Sequence, residues 1–460
     1  MQYIKKRVGG TPLVRAHNLE KEFGLSKIYL KLEGNNPSGH REDRLAYLII
    51  RDALSKGCTT LCMGIYGTVG GSLAFLSQYF DVQLNFYVPE KHRILRKEFL
   101  SAPYIKIIRY GKTYGDCVTK SREDAEKYGW YNANPGLQNN ILDMYAFSYI
   151  AKEVYQQLNK EIDTIFCQTG NGSSISGLHL GFKQLWVNEN IETIPRLMAV
   201  STNNGNAIIE SFKQGSDKIL MLDMKKIKSK ATKYNRNLIF AQCYNGQDAL
   251  NSIYASNGKA IGITDDELIE CVNLFKKLEK IRSKASNLFP VAALIKEIEQ
   301  GSISEGVHVV ILNDGKLDTD IRVLRKKDLS VSYEVFLEKL DEWLIQFSDP
   351  LDEIGEAVEN AFNYGYVLGA YYRGYLAGIA IVSKTRFKTF FPKYHLSYIA
   401  TKKNIKGRGI ATQLLQKVIE LTKGDLSLHV ETDNKRAIQL YEKMGFRKKY
   451  YRMLYEGEVI

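Results

Sequence analysis

The sequence predicts an α/β protein of two domains, and three observations carry that expectation. Short apolar runs at 61–65, 165–168 and 309–312 each enter a glycine-marked turn, and helical patterns follow the first two. Past residue 318 the chain becomes charged and poor in apolar residues, with Arg322, Arg325, Lys326, Lys327 and Asp328 crowded together. Beyond that stretch, 366–382 alternates around Gly369, Gly374 and Gly378 as a hairpin does, and a strand at 395–401 leads through a second glycine-marked turn into a helix at 412–421. The expected boundaries are 1–318 for the first domain, 319–333 for an exposed linker and 334–460 for the second domain.

Size and composition agree. At 460 residues, 44% hydrophobic and 25% charged, the chain can bury two ordinary cores. It has no apolar run of ~18 residues for a membrane helix and no early run for a signal peptide, so a cytoplasmic protein is expected. The six cysteines all lie in the first domain, mostly in apolar surroundings, and Cys58 and Cys62 lack partners at metal-ligand spacing. Reduced structural thiols and no metal follow. The net charge of +13 suits anionic ligands; the basic runs at 225–233 and 402–408 carry no interleaved aromatics, so nucleic acid is not an expected partner.

The first domain opens with Gly9-Gly10-Thr11-Pro12-Leu13-Val14 and a strand at 28–33. Then comes Asn36-Pro37-Ser38-Gly39-His40-Arg41-Glu42-Asp43-Arg44. This frame resembles the Asn-Pro-Thr-Gly-Ser-Phe-Lys-Asp-Arg segment of threonine synthases and their cysteine-synthase-like relatives, the fold type II (tryptophan synthase β-like) pyridoxal-phosphate enzymes. Placed without gaps, Glu42 stands on the lysine position; a one-residue shift puts Arg41 there. A Schiff base needs an amine that can lose its proton. A guanidinium stays charged and a carboxylate has no nitrogen, so the resemblance implies a domain that binds pyridoxal phosphate, if at all, without a covalent link.

The turn Thr169-Gly170-Asn171-Gly172-Ser173-Ser174 lies between a short apolar strand and a helix. Glycines let successive amides point into one concavity, and the helix start adds about half a positive charge, which favours a phosphate dianion. The resemblance assigns Gly170, Asn171, Gly172, Ser173 and Ser174 to that role; the alternative is a tightly packed helix cap. It also places Thr68 where the family has an Asn touching the ring hydroxyl, with Tyr66 in place of a Ser. Asn313 or Asp314 falls where the family offers a hydroxyl to the ring nitrogen, with an Asx turn before Gly315 as the equal alternative.

In the second domain, Lys406-Gly407-Arg408-Gly409-Ile410-Ala411 lies between strand and helix, and Asn434-Lys435-Arg436-Ala437-Ile438-Gln439-Leu440-Tyr441-Glu442-Lys443-Met444-Gly445-Phe446 follows a strand expected at 426–431. Together they resemble the pyrophosphate loop and the Asn-x-x-Ala-x-x-Leu-Tyr-x-x-x-Gly-Phe signature of GNAT acetyltransferases. The loop composition suits CoA pyrophosphate, because side chains at Gly407 or Gly409 would block its approach to backbone amides. The resemblance implies acetyl-CoA as cofactor, Asn434 beside the pantetheine arm and Tyr441 as the acid that protonates the leaving thiolate. Glu431 is a candidate base, with His395 and His429 as weaker ones.

The expected function is therefore an acetyl-CoA-dependent N-acyltransferase for an amino acid or related small amine, fused to a domain that binds a phosphorylated ligand. One alternative is an active lyase or β-replacement enzyme using another lysine, Lys31, or a shifted loop register. A non-catalytic ligand-binding fusion is the other. The resemblance also implies a possible homodimer.

Overall fold

The computed structural model describes residues 8–25, 27–65, 68–91, 102–158, 161–228, 230–279, 281–317, 319–329, 331–372, 375–385, 391–405 and 409–449. The chain divides into two compact units, Met1–Leu317 and Asp318–Ile460.

The first unit is built on two sheets. One contains β1 (Leu13–Arg15), β2 (Ile28–Leu32), β7 (Thr164–Gln168), β8 (Arg196–Thr202), β9 (Lys259–Ile263) and β11 (His308–Leu312), in the order β1-β2-β11-β7-β8-β9. β1 pairs antiparallel with β2, and the other pairs are parallel. The other sheet is parallel, with β3 (Thr60–Gly64), β4 (Gln83–Val88), β5 (Ile105–Arg109) and β6 (Tyr131–Asn132) in the order β5-β4-β3-β6. A short ribbon joins β10 (Ile281–Arg282) to β12 (Lys316–Leu317). Every residue of β7 and β11 is buried, which is why both read as unbroken apolar runs: such strands are covered on both faces. Their register, Ile311 beside Cys167, brings Gln168 and Asn313 to neighbouring strand ends. In open parallel sheets that carboxyl edge is where ligands bind.

A buried ion network ties the opening loop to this sheet. The Arg44 guanidinium, at the start of the helix Asp43–Ser55, donates to both oxygens of Glu33 at 2.7 and 2.8 Å and to both oxygens of Glu153 at 2.6 and 2.8 Å. Lys31 on β2 donates to Glu153 at 2.8 Å, to the Thr11 carbonyl at 2.7 Å and to Gln157 at 3.0 Å. Two cations thus face two carboxylates, and Thr11, Asn36 and Gly10 satisfy remaining acceptors. Burial opposes charge on Glu153, but Arg44 and Lys31 outweigh it and hold the carboxyl at about 2. Burial likewise pulls the Lys31 ammonium down, against the raising pull of Glu153 and Glu33.

The second unit is one five-stranded sheet of β13 (Thr319–Leu324), β14 (Tyr366–Tyr372), β15 (Tyr375–Lys384), β16 (Tyr394–Thr401) and β17 (Leu426–Leu428), in that order. Pairings are antiparallel up to β16, which meets β17 in parallel. The expected hairpin and central strand are present. The expected linker at 319–333 is not a linker: β13 pairs with β14 along its whole length, from Thr319 beside Tyr372 to Leu324 beside Val367. Its charge misled, because Asp320 and Arg322 sit on an edge strand, where charge discourages pairing with other chains. The strand expected at 426–431 stops at Leu428. Gly374, Lys406, Gly407 and Arg408 lie outside the described residues, as do Tyr66 and Gly67.

Among the described residues no helix is long and apolar enough to cross a membrane, and no group of three or more His, Cys, Asp or Glu could hold a metal ion. The six cysteines are free.

The network makes two testable statements. Glu33→Gln leaves the two buried cations Arg44 and Lys31 facing Glu153 alone and lowers unfolding stability by ~3–5 kcal/mol in urea titrations. Glu153 is depressed below the ordinary glutamate value of about 4.3, so its stabilisation is complete above that pH and is lost as pH falls towards 2. The stability gap between the native chain and Glu153→Gln therefore narrows across that interval.

Candidate functional site

The loop between β2 and the helix Asp43–Ser55 is fastened at both ends. The Ser38 amide donates to Asp43 Oδ2 at 2.6 Å, the Ser38 hydroxyl bonds Asp43 Oδ1, and Asn36 donates to the Glu33 carbonyl at 2.9 Å. Gly39 takes φ +90°, a left-handed conformation, and a Cβ there would stand 3.1 Å from Lys316 Nζ.

Between these anchors come Arg41 and Glu42. The Arg41 amide donates to the Asn313 carbonyl at 3.0 Å. Its guanidinium lies 5.1 Å from the Phe147 ring centroid, with Nη1 3.4 Å from Cys167 Sγ and 3.5 Å from the Gln168 carbonyl oxygen. Glu42 is the helix N-cap residue, only 8% exposed, with Oε1 3.3 Å from Arg41 Nη2. Its other oxygen, Oε2, is buried with no hydrogen-bond partner among the described residues, as are Gln168 Oε1, Asn313 Oδ1 and Arg41 Nε. The strand ends and loop therefore converge on a site rich in unsatisfied acceptors.

The glycine turn after β7 forms as expected. Gly172 is the N-cap of the helix Ser173–Val187 at φ +107°, and a Cβ there would stand 2.4 Å from the Asn245 carbonyl oxygen. Part of the turn's glycine requirement is therefore packing. Asn171 and Ser173 both donate to Asn245 Oδ1, at 2.9 and 3.0 Å, so their side chains brace the 243–246 turn. Ser174 is buried in the helix's first turn, and a Cβ at Gly170 would stand 2.9 Å from the Phe240 ring. Sequence reasoning missed Asp143, which is fully buried next to Ser173. Burial raises its carboxyl to about 7, against hydrogen bonds from the Gly136 amide and Ser173. No spacing signal could have found it, because Asp143 and Ser173 are thirty residues apart on different elements.

Three further expectations are placed by the geometry. Asp314 accepts from the Ser283 hydroxyl at 2.6 Å and the Lys284 amide at 3.3 Å, so it anchors a loop; Asn313 is the buried residue with a free acceptor. Thr68 begins the helix Thr68–Ser77 and is half-buried. Lys31 does not present an amine to this site. All three of its N–H bonds have partners within the ion network, which removes it as a substitute lysine.

In the second unit β16 and β17 part. Only Tyr394, His395 and Leu396 pair with Leu426, Ser427 and Leu428, which leaves residues 397–401 of β16 without a partner on that side among the described residues. Gly409, at φ +73°, starts the helix Ile410–Thr422, whose first residues are Ile410 and Ala411. Tyr441 packs at 5.9 Å from Phe446, and burial pushes its hydroxyl up to about 12. Asn434 caps the helix Lys435–Lys443 by accepting from the Ala437 amide at 3.1 Å. Glu431 is exposed, with no side-chain contact drawing it to Tyr441 among the described residues. His395 and His429 have ring centroids 4.6 Å apart. Unforeseen from the sequence is the Tyr398 hydroxyl donating to Asp349 at 2.7 Å.

Residues 4–315 match the model of the pyridoxal-phosphate dependent enzyme family. The chain belongs to that family. Residues 332–446 match the acetyltransferase (GNAT) family, so a GNAT domain follows the fold type II domain. Threonine synthase of Methanocaldococcus jannaschii is 27% identical over 309 residues, covering 67% of this chain and 74% of that protein. Cystathionine beta-synthase of Apis mellifera is 29% identical over 198 residues, 40% of this chain and 39% of that one. The solved threonine deaminase isoform 2 of Solanum lycopersicum superposes with a TM-score of 0.57 at 18% identity, covering 67% of this chain and 80% of its own. O-ureido-L-serine synthase gives 0.53 at 20%, covering 68% and 90%. At those identities the structural likeness shows the fold alone.

The two families imply pyridoxal phosphate and acetyl-CoA. The fold type II domain offers a glycine turn at a helix start for a phosphate and Asn313 as a free acceptor, but Glu42 and Arg41 supply no amine for covalent attachment. The residues fit a phosphorylated ligand held by hydrogen bonds and charge; they do not fit one held through a lysine at this position.

Asp143 gives a pH test. Its folded value of about 7 lies above the ordinary aspartate value of about 3.9, so its ionisation removes stability progressively between those pH values. Asp143→Asn equals the native chain at pH 4 and exceeds it at pH 8 by ~2–4 kcal/mol in denaturant titrations.

Proposed function

We infer that the chain is an acetyl-CoA-dependent N-acyltransferase for an amino acid or related small amine, joined to a fold type II domain that holds a phosphorylated ligand without a Schiff base. The parting of β16 from β17 beside Tyr441 carries the first half of this reading. Unpaired amides of β16 can polarise the thioester carbonyl, as preorganised donors do. The acceptor nitrogen bonds to the acyl carbon, and the carbon–sulfur bond breaks. Tyr441, kept protonated by burial well above neutral pH, can give its proton to the departing thiolate. The proton shed by the amine goes to water or to a carboxylate such as Glu431. Asn434 and residues 406–411 would bind CoA. Nothing in this cytoplasmic reading requires a membrane or nucleic acid, and a homodimer is compatible with it.

Glu42 carries the second half. An active lyase would need an amine there, and Lys31, its nearest substitute in sequence, is fully engaged elsewhere.

Two measurements test the two halves separately. With radiolabelled acetyl-CoA and a panel of amino acids and small amines, transfer is expected to at least one acceptor. Tyr441→Phe lowers kcat by about 10²-fold with little change in KM for acetyl-CoA; an unchanged kcat removes Tyr441 as the acid. Adding one equivalent of pyridoxal phosphate followed by borohydride is expected to leave no single lysine stoichiometrically modified by mass, only scattered labelling of exposed lysines such as Lys56 and Lys448. A single trapped lysine, with Lys316 beside the Gly39 turn as the one to inspect, would restore covalent cofactor chemistry.

A further inference from the structure

Resting on the phosphorylated-ligand reading above, we propose that the first unit binds a phosphomonoester that also carries a primary ammonium group, and that Glu42 selects the ammonium. Three buried acceptors at the site are unpaired among the described residues, against one unpaired donor, Arg41 Nε. Glu42 is more than nine-tenths buried, yet one carboxylate oxygen has no partner among the described residues. The other reaches Arg41 at 3.3 Å, longer than the ~2.7–2.9 Å of a well-formed charged hydrogen bond. Gln168 and Asn313, at the ends of adjacent parallel strands, each add a buried acceptor without a donor. The Gln168 amide is oriented by its own bond to the Ser286 carbonyl at 3.1 Å, which leaves the oxygen as the free end.

A buried polar atom left unpaired costs ~1–3 kcal/mol, and more when charged, so a ligand that supplies donors here recovers that cost on binding. An aldehyde or carboxylate brought to Glu42 adds another acceptor and deepens the deficit. An ammonium brings three N–H donors and a positive charge on one atom. Arg41 fills that part incompletely. Its amide is bonded to the Asn313 carbonyl, its guanidinium is packed on Phe147 against Cys167, and it reaches only one Glu42 oxygen, at 3.3 Å, while its Nε stays unpaired among the described residues.

The opposite requirement holds at the glycine turn, where the helix Ser173–Val187 starts at Gly172 with no side-chain cap and its first amides suit an anion. Asp143 beside Ser173 does not oppose a phosphate while protonated, and burial keeps it so below about 7. Arg41, next to Glu42, reaches the carbonyl of Gln168 at 3.5 Å, and Gln168 leads directly into the glycine turn, so the proposed ligand would meet a carboxylate at one end and backbone donors at the other. A lysine at position 42 would suit an aldehyde; the carboxylate reverses that preference in favour of an amine.

The test is calorimetric titration of the full chain with four probes: pyridoxamine 5′-phosphate, pyridoxine 5′-phosphate, unphosphorylated pyridoxamine and O-phosphoethanolamine. Pyridoxamine 5′-phosphate is expected to bind at least tenfold tighter than pyridoxine 5′-phosphate, which differs by a hydroxyl in place of the ammonium. In Glu42→Gln that gap closes, and in Glu42→Lys it reverses. Equal binding of the two phosphates to the native chain overturns the ammonium inference and leaves the phosphate reading standing. Binding of pyridoxamine as tight as that of its phosphate, or no binding by any phosphate, overturns the phosphate reading and this ligand class with it. O-phosphoethanolamine binding that depends on Glu42 supports recognition of the two charged ends alone. If it fails while pyridoxamine 5′-phosphate binds, recognition of the ring is added to the same Glu42 preference.

Discussion

The buried network of Arg44, Glu33, Glu153 and Lys31 is the constraint on which the first unit depends. It joins the opening loop, β2, the helix Asp43–Ser55 and the helix Asn140–Leu158, which the apolar core of Leu45, Ile49, Phe147 and Ile150 also packs together. Charges are costly to bury, and this arrangement survives because each is met by an opposite charge in bidentate or multiple hydrogen bonds. The network also decides what Lys31 can do. A lysine with three fixed acceptors is a structural cation and not a nucleophile.

The loop that follows is therefore divided in purpose. Asn36, Ser38, Asp43 and Arg44 make bonds that hold its shape, and all stand in a frame like that of catalytic relatives. Arg41 and Glu42 lie between them; their backbones join the fold, but Arg41 Nε stays unpaired among the described residues. Glu42 likewise leaves an oxygen, Oε2, without a partner among the described residues. Within nine residues the bonds that hold the loop's shape and the two charged side chains at its centre are thus carried by different residues.

The second unit obtains its opening from strand geometry. β16 is paired along β15 but leaves β17 after three residues, so backbone donors remain where a thioester could be bound without any dedicated side chain. Tyr441 stands in the hydrophobic cluster that includes Leu414 and Leu415, and the same burial that packs its ring keeps its hydroxyl protonated. Packing and acid strength have one cause.

Most of the architecture was legible because strongly apolar strands such as β7 and β11, and glycine turns such as that at Gly172, are local signals. β13 was not legible, since an edge strand protected by Asp320 and Arg322 has the composition of a linker and is recognised only by its pairing with β14. The sequence by itself determined the two families, the absence of a lysine at position 42 and the residues of both glycine turns. Only the tertiary structure decided that Lys31 is spent, that Asp314 anchors a loop while Asn313 keeps a free acceptor, and that Asp143 sits beside Ser173. These are facts about which groups satisfy one another across distant segments, and hydrogen-bond partners thirty to more than a hundred residues apart leave no spacing in a sequence to be read.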